Sequence, residues 1–377
     1  MVVVVVVVVA VAAGVVAVTQ AIAKPGRSRD KGGAYLEMFM RTYYHPDQTL
    51  HHPKTYLSRG QMRTPQEIPM RLDGLLQAMQ EMGFDIREPE DHGLEPVLAV
   101  HDAGYVDFLE HAHARWLATG QDWGDEVMSN IYRRSLHRPR GVLAEAAHYM
   151  ADGSSPIGPQ TWRSAYVAAQ CAISAAQCVM DGERAAFALC RPPGHHARAD
   201  AAGGFCYLNN AAIAAQRLRA QFERVLILDV DMHHGQGIQE IFYDRDDVMY
   251  ISIHGDPTNF YPVVAGYADE TGTGAGEGFN LNLPMPHGSA ESVFFDALAQ
   301  ALAAINRFQP QALVVPLGFD TFHLDPQSLV AMSSGGLERM AQMLSALDLP
   351  TVIVQEGGYH LPSLADNARG FFSNWGQ

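Results

Sequence analysis

Cysteine is scarce in this sequence and unpatterned. The four residues, Cys171, Cys178, Cys190 and Cys206, form no Cys-x-x-Cys pair. Neither a structural thiolate zinc site nor a disulfide framework is indicated, and a reducing, cytoplasmic compartment is expected. Positive charge is also in deficit. Twenty-six Lys and Arg face 41 Asp and Glu, a net charge of −15. Setting aside the +2 of residues 1–40 (Lys24, Arg27, Arg29 and Lys31 against Asp30 and Glu37) leaves −17 on the remainder. Such a surface attracts small cations and repels phosphate backbones, so nucleic acid is not an expected partner. There is no Gly-x-Ser-x-Gly and no His-Glu-x-x-His, which removes the anchors of a serine hydrolase and of a zincin protease. Gly272, Gly274, Gly276 and Gly278 match a phosphate loop in glycine content alone, because no strand-to-helix pattern surrounds them.

Long hydrophobic runs are limited to the N-terminus, where Val2 to Val18 is unbroken apolar or glycine and includes eight consecutive valines. The run has the length of a short anchor or an export signal. However, no positive region precedes it and the basic residues follow it. By the positive-inside rule an inserted helix would leave the rest of the chain on the cytoplasmic side.

The most informative feature that is present is Asp229-Val230-Asp231-Met232-His233, followed by His234 and Gly235. It follows the apolar run Val225 to Leu228, which reads as a buried strand of a parallel sheet. Two carboxylates and an imidazole are thus concentrated where a strand ends, and in open α/β sheets that end is where ligands bind. Side chains two apart on extended backbone project to the same side, so Asp231 and His233 can converge on one ion. Oxygen and imidazole donors without thiolate suit a catalytic zinc or another borderline divalent metal.

Four further apolar runs end in equally unusual polar groups. Residues 185–190 lead into Arg191-Pro192-Pro193-Gly194-His195-His196, and 248–253 into His254-Gly255-Asp256. Residues 313–317 lead into Gly318-Phe319-Asp320, and 351–354 into Gln355-Glu356-Gly357-Gly358-Tyr359. Helical patterns such as 211–222 and 294–308 lie between them. Strand and helix alternate as in a doubly wound sheet, so one α/β domain with a mainly parallel central sheet and helices on both faces is expected. One rim of that sheet would collect two Asp, three or four His and a Tyr, which is the composition of an active site.

The blocks RPPGHH, GGFCYLNNAAIAAQ (203–216), LDVDMHHGQG (228–237), LGFDTFHLDP (317–326) and EGGY (356–359) resemble, in order, those of the zinc-dependent deacetylase superfamily. This group contains histone deacetylases and bacterial acetylpolyamine amidohydrolases on the arginase-like fold. Residues 45–71 and 92–116 look closest to the acetylpolyamine branch. The resemblance runs from about Tyr43 to the C-terminus. The expected division is therefore an N-terminal extension, 1–40, read as an overextended reading frame in preference to an anchor or export signal, and a catalytic domain, 41–377.

The resemblance implies roles for individual residues. Asp231, His233 and Asp320 would bind Zn²⁺, with Fe²⁺ as the alternative ion. His196 would be the main general base and His195 mostly electrostatic, with Tyr359 as oxyanion donor. Asp229 and Ser252, with carbonyls of Asp231, His233 and Ile253, would hold a structural K⁺, and Asp229 would orient His195. Gln236 stands where several relatives carry Asp to orient His196, so His196 should be less basic here. Phe205, after Gly204, and Tyr261 would wall the substrate tunnel, while His234 would play a structural part. Residues 114–160 resemble the segment that narrows the tunnel mouth at a dimer interface. A homodimer acting on a small acetylated amine is therefore expected, with a class II-type acetyl-lysine deacetylase as the alternative. Acidic residues before Thr161 help some relatives recognise polyamines, but neither Glu145 nor Asp152 falls clearly on that position. A two-manganese ureohydrolase of the same fold needs a second carboxylate where Gly235 stands. A non-catalytic ligand-binding homologue would have lost Tyr359 or a metal ligand, and none is missing.

Overall fold

The five apolar runs become strands of one eight-stranded sheet, and every neighbouring pair in it is parallel. The computed structural model describes residues 40–132 and 139–376; the Val2 to Val18 run lies outside the described residues. In chain order the strands are β1 (Arg41–Tyr43), β2 (Asp85–Arg87), β3 (Ala185–Ala188), β4 (Val225–Asp229), β5 (Val248–Gly255), β6 (Asn280–Met285), β7 (Ala312–Leu317) and β8 (Thr351–Gln355). They are arranged β2-β1-β3-β8-β7-β4-β5-β6.

Alternation along each strand feeds two separate cores. In β7, Ala312 and Val314 join one apolar cluster while Leu313, Val315 and Leu317 join the other. The same split occurs in β4, where Val225 and Ile227 oppose Leu226 and Leu228. Successive side chains leave a strand on opposite faces, and burial of both faces is why these runs are continuously apolar. The first cluster is covered by α2 (Ala103–Ala118), α3 (Thr161–Met180) and α4 (Asn210–Leu218). The second is covered by α1 (Met70–Glu81), α6 (Glu291–Phe308), α7 (Ser334–Ser345) and α8 (Leu361–Ser373). The short α5 (Gln236–Phe242) follows β4. Although α3 spans 20 residues, no helix among the described residues is long and apolar enough to cross a membrane.

Local chemistry sets the helix ends. Asp102 caps α2 by accepting from the Gly104 and Tyr105 amides at 2.8 and 3.1 Å, and Asn209 caps α4 through the Ala212 amide at 3.0 Å, each satisfying donors the helix leaves open. The expected helix 211–222 stops at Leu218. Phe222 still packs on the core from the turn beyond, so its apolar spacing outlasts the helix.

Strand order decides where the site lies. The chain leaves β3 and re-enters the sheet at β4, but β8 and β7 are later inserted between them. The loops after β3 and β4 are therefore held apart, and the loops after β7 and β8 fill the gap. Crevices form at such topological switch points.

Candidate metal centre and active site

Four of the expected rim segments, those after β3, β4, β7 and β8, meet at this gap. Asp231, His233 and Asp320 are buried, and one donor atom from each lies within 4.8 Å of the others. His233 Nδ1 is 3.3 Å from Asp231 Oδ1 and 3.1 Å from Asp320 Oδ2. An ion bonded tetrahedrally at about 2.0–2.1 Å separates its ligands by about 3.3 Å, so this donor set suits zinc. Each carboxylate has an oxygen pinned by backbone: Met232 N donates to Asp320 Oδ1 at 3.1 Å and Gly357 N to Asp231 Oδ2 at 2.8 Å.

The electrostatics favour a positive charge at this point. Burial and the adjacent Asp231 push the Asp320 carboxyl up to about 7. Burial opposes charge on His233, yet its bonds to Asp231 and Asp320 hold it up to about 9. Two buried carboxylates facing one point draw in a proton or a cation.

The tandem histidines sit on this cluster with different partners. His195 Nδ1 contacts Asp229 Oδ2 at 3.1 Å and its Nε2 lies 3.7 Å from Asp231 Oδ1. Burial alone would lower its pKa, but the charges of Asp231 and Asp229 outweigh this and raise it to about 10. His196 Nδ1 contacts Gln236 Oε1 at 2.7 Å. Burial and the neighbouring His195 and His233 hold His196 well below the usual imidazole range.

Aromatic rings enclose the space above. Phe205 and Tyr359 face each other with centroids 6.2 Å apart, Tyr261 crosses His196 edge-on at 4.7 Å, and Phe260 stacks on His233 at 4.7 Å. Gly204 and Phe205 both have positive φ, 59° and 67°. For an aromatic residue this left-handed conformation is strained and must be held by its surroundings. A methyl group on Gly204 would lie 2.3 Å from His196 Cδ2, so only glycine lets the wall approach the imidazole.

Residues 65–374 match the histone deacetylase domain family. The chain belongs to that family. It is an amide hydrolase of the deacetylase class. It is 62% identical to an acetylpolyamine amidohydrolase of Burkholderia pseudomallei, over 89% of this chain and 99% of that one. Identity to acetylpolyamine amidohydrolase 1 of Pseudomonas aeruginosa is 44%, over 87% and 96%. A crystal structure of acetylpolyamine aminohydrolase from Burkholderia pseudomallei superposes with a TM-score of 0.88 at 62% identity, covering 89% of this chain and 98% of that one.

Within the histone deacetylase fold, the remaining expected residues separate into those at the site and those turned from it. Asp229 and Ser252 are register partners across β4 and β5. His254, expected on the rim, belongs to β5 and points away from the cluster, bonded to Ser252 Oγ and the Gly266 carbonyl at 2.8 Å each. The strand simply runs two residues further than its apolar run. His234 also turns away, to Asn282 Oδ1 at 3.1 Å.

Several supporting residues were not legible in the sequence. Glu356 Oε2 accepts from the Gly194 and His195 amides at 2.6 and 3.0 Å, fixing the loop that carries both histidines. Asp325 Oδ2 accepts from Tyr359 N and His360 N at 2.6 and 2.9 Å. Arg71 donates to the Gly358 and Glu356 carbonyls at 2.6 and 2.5 Å and stacks 4.7 Å from the Tyr359 ring. Both acidic residues belong to the EGGY and LGFDTFHLDP blocks and Arg71 ends the segment 45–71, but none of the three has a role assigned there. Of the two acidic residues before Thr161, Glu145 pairs with Arg115 at 3.5 Å, whereas Asp152 accepts from the Tyr261 hydroxyl at 2.6 Å.

Proposed function

We propose that this chain deacetylates small N-acetylated diamines and polyamines. The reading is carried by the convergence of two buried carboxylates and an imidazole beneath an aromatic-walled space holding His195, His196 and Tyr359. The names of the relatives at 62% and 44% identity support the substrate class, as does an acidic surface that recruits cations. Asp231, His233 and Asp320 would hold Zn²⁺ or Fe²⁺. Bound there, the ion polarises the acetyl carbonyl and acidifies a water.

The protein's own groups complete the reaction. With Nδ1–H engaged by Gln236, His196 keeps the Nε2 lone pair free to take the water's proton as oxygen attacks the acetyl carbon. His195, whose Nδ1 contacts Asp229 Oδ2 at 3.1 Å, acts electrostatically on the charge developing beside it. Burial and the nearby Asp320 and Asp231 charges push the Tyr359 phenol well above its usual range, although Arg71 opposes them. It therefore stays protonated and donates to the oxyanion on the substrate carbon. The proton taken by His196 then passes to the departing amine.

We also infer that Asp229, Asp231, His233, Ser252 and Ile253 surround a structural K⁺, a reading supported by the pairing of Asp229 with Ser252. The enzyme would act in the cytoplasm as a homodimer, with residues 114–160 narrowing the tunnel mouth; residues 133–138 of that segment lie outside the described residues. The test compares kcat/KM on one preparation for acetylputrescine, acetylcadaverine, acetylspermidine and an acetyl-lysine peptide. Higher values for the acetylated amines are expected. A peptide preferred over all three would refute the substrate assignment.

A further inference from the structure

A chain of hydrogen bonds runs from Asp152 to the imidazole of His196. Asp152 Oδ2 lies 2.6 Å from the Tyr261 hydroxyl, Gln236 Nε2 lies 3.3 Å from the same hydroxyl, and Gln236 Oε1 lies 2.7 Å from His196 Nδ1. We propose that Asp152 and Tyr261 are positioning residues that, through Gln236, lock His196 as the Nδ1–H tautomer and restore part of the carboxylate influence an amide lacks. This rests on the reading of His196 as general base.

The direction of every bond follows from its first member. A carboxylate only accepts, so Tyr261 O–H must donate to Asp152. The Tyr261 oxygen is then left to accept, and the partner facing it must be the Gln236 amide N–H. Gln236 therefore presents its carbonyl to His196, which can meet it only with Nδ1–H. The proton is kept off Nε2, the nitrogen that must hold a lone pair. Without the anchor at Asp152 the Gln236 amide is free to turn over. Its NH₂ would then face Nδ1 and move the imidazole proton to Nε2, the wrong nitrogen for a base. Successive hydrogen bonds ending on an anion also polarise one another.

Asp152 is itself held in place. Its Oδ1 accepts from Ser154 N at 2.8 Å and from the Ser154 hydroxyl, and Ser154 Oγ accepts from Gly204 N at 2.8 Å. Gly204 in turn packs against the His196 ring. One carboxylate thus organises the Tyr261 wall, the Gly204 wall and the tautomer between them. With both oxygens engaged, Asp152 is placed to orient the site and not to capture the substrate's cation.

Tyr261→Phe separates the two contributions of that residue, since the ring that crosses His196 remains and only the hydroxyl is lost. In metal-loaded enzyme with measured metal content and acetylputrescine as substrate, we expect kcat to fall about tenfold, within the range for losing a partner that orients an active-site ligand. KM should stay within about twofold. Asp152→Asn should lower kcat in the same direction, and its cost in the Tyr261→Phe background should be smaller than its cost alone, since only the arm through Ser154 is then left to lose. In a Gln236→Glu background, where a carboxylate meets His196 directly, Tyr261→Phe should lose its effect. The ¹⁵N spectrum of labelled histidine should place the His196 proton on Nδ1 in the parent enzyme and distribute it over both nitrogens in Tyr261→Phe. If Asp152→Asn fails to fold, Tyr261→Phe decides the matter alone. An unchanged kcat in Tyr261→Phe, or a raised KM at constant kcat, would overturn the proposal, the latter marking Tyr261 as a substrate contact only. His196→Ala separates the two levels of the argument. Wild-type kcat in that variant removes the base reading itself, whereas its collapse beside an unaffected Tyr261→Phe removes only the positioning chain.

Discussion

Gly318 closes the floor of the metal centre, and replacing it by Ala is the most direct test of that geometry. A methyl group at Gly318 would lie 2.1 Å from Asp231 Oδ2 and 2.5 Å from Asp320 Oδ1, whereas real Cβ contacts essentially never fall under 3.0 Å. Asp231 Oδ2 must therefore retreat by about 0.9 Å and Asp320 Oδ1 by about 0.5 Å, and each rigid carboxylate carries its other oxygen, the one facing His233, along with it, against a tolerance near 0.2 Å for ligand positions in metal sites. The displaced atoms are also the ones that accept from Gly357 N and Met232 N, so backbone bonds that aim the carboxylates are lost with them. Gly318 is not among the residues with left-handed φ, so the methyl group alone is responsible. We expect Gly318→Ala to weaken metal binding by about 100-fold or more, at or beyond the upper end for disturbing residues that orient ligands. Activity at limiting metal should fall in parallel. Competition against a chromophoric chelator measures the affinity, and a thermal melt by circular dichroism separates it from unfolding. Gly335→Ala is the control: its methyl group would meet only Ser333 Oγ, at 3.8 Å, on helix α7, where Ala is favoured over Gly by up to about 1 kcal/mol. Metal binding by Gly318→Ala as tight as in the parent would refute the reasoning.

Asp231→Ala, His233→Ala and Asp320→Ala should each lose most of the metal and nearly all activity, because three ligands share one ion; full occupancy in all three by elemental analysis would sink the assignment. Tyr359→Phe and His196→Ala should keep their metal but lose roughly 10²-fold or more in kcat, with His195→Ala milder. Near-parental turnover of Tyr359→Phe in a steady-state assay would remove its oxyanion role. A chain beginning at Met40 should fold and match the full chain in activity, since the assigned residues all lie within 40–376; intact mass of the native protein and its recovery in soluble or membrane fractions bear on the same point. Leu226, fully buried in β4, should cost about 2–5 kcal/mol when truncated to Ala, read as a lower denaturant midpoint.

The expectation of an α/β sheet followed from local chemistry. Runs such as Val225–Leu228 and 313–317 are apolar at every position because both faces of a parallel strand are covered, and that requirement is written into each run separately. The abrupt change to Asp, His, Arg or Gly at their ends marked the ligand-binding rim for the same reason.

Other features depended on which distant segments become neighbours. Nothing within β3 or β4 states that β8 and β7 come between them, yet this order brings Asp320 and Tyr359 to the tandem histidines. His254 looked equal to the other rim histidines until β5 carried it two residues further into the sheet, where Ser252 and Gly266 occupy its nitrogens. Asp152 could not be aligned with any expected role because its partner Tyr261 lies 109 residues away. A residue's type and its local pattern determine which secondary structure it enters and what chemistry it can perform. Its hydrogen-bond partners and its distance from a metal ligand depend on pairings between remote segments, which only the tertiary structure decides.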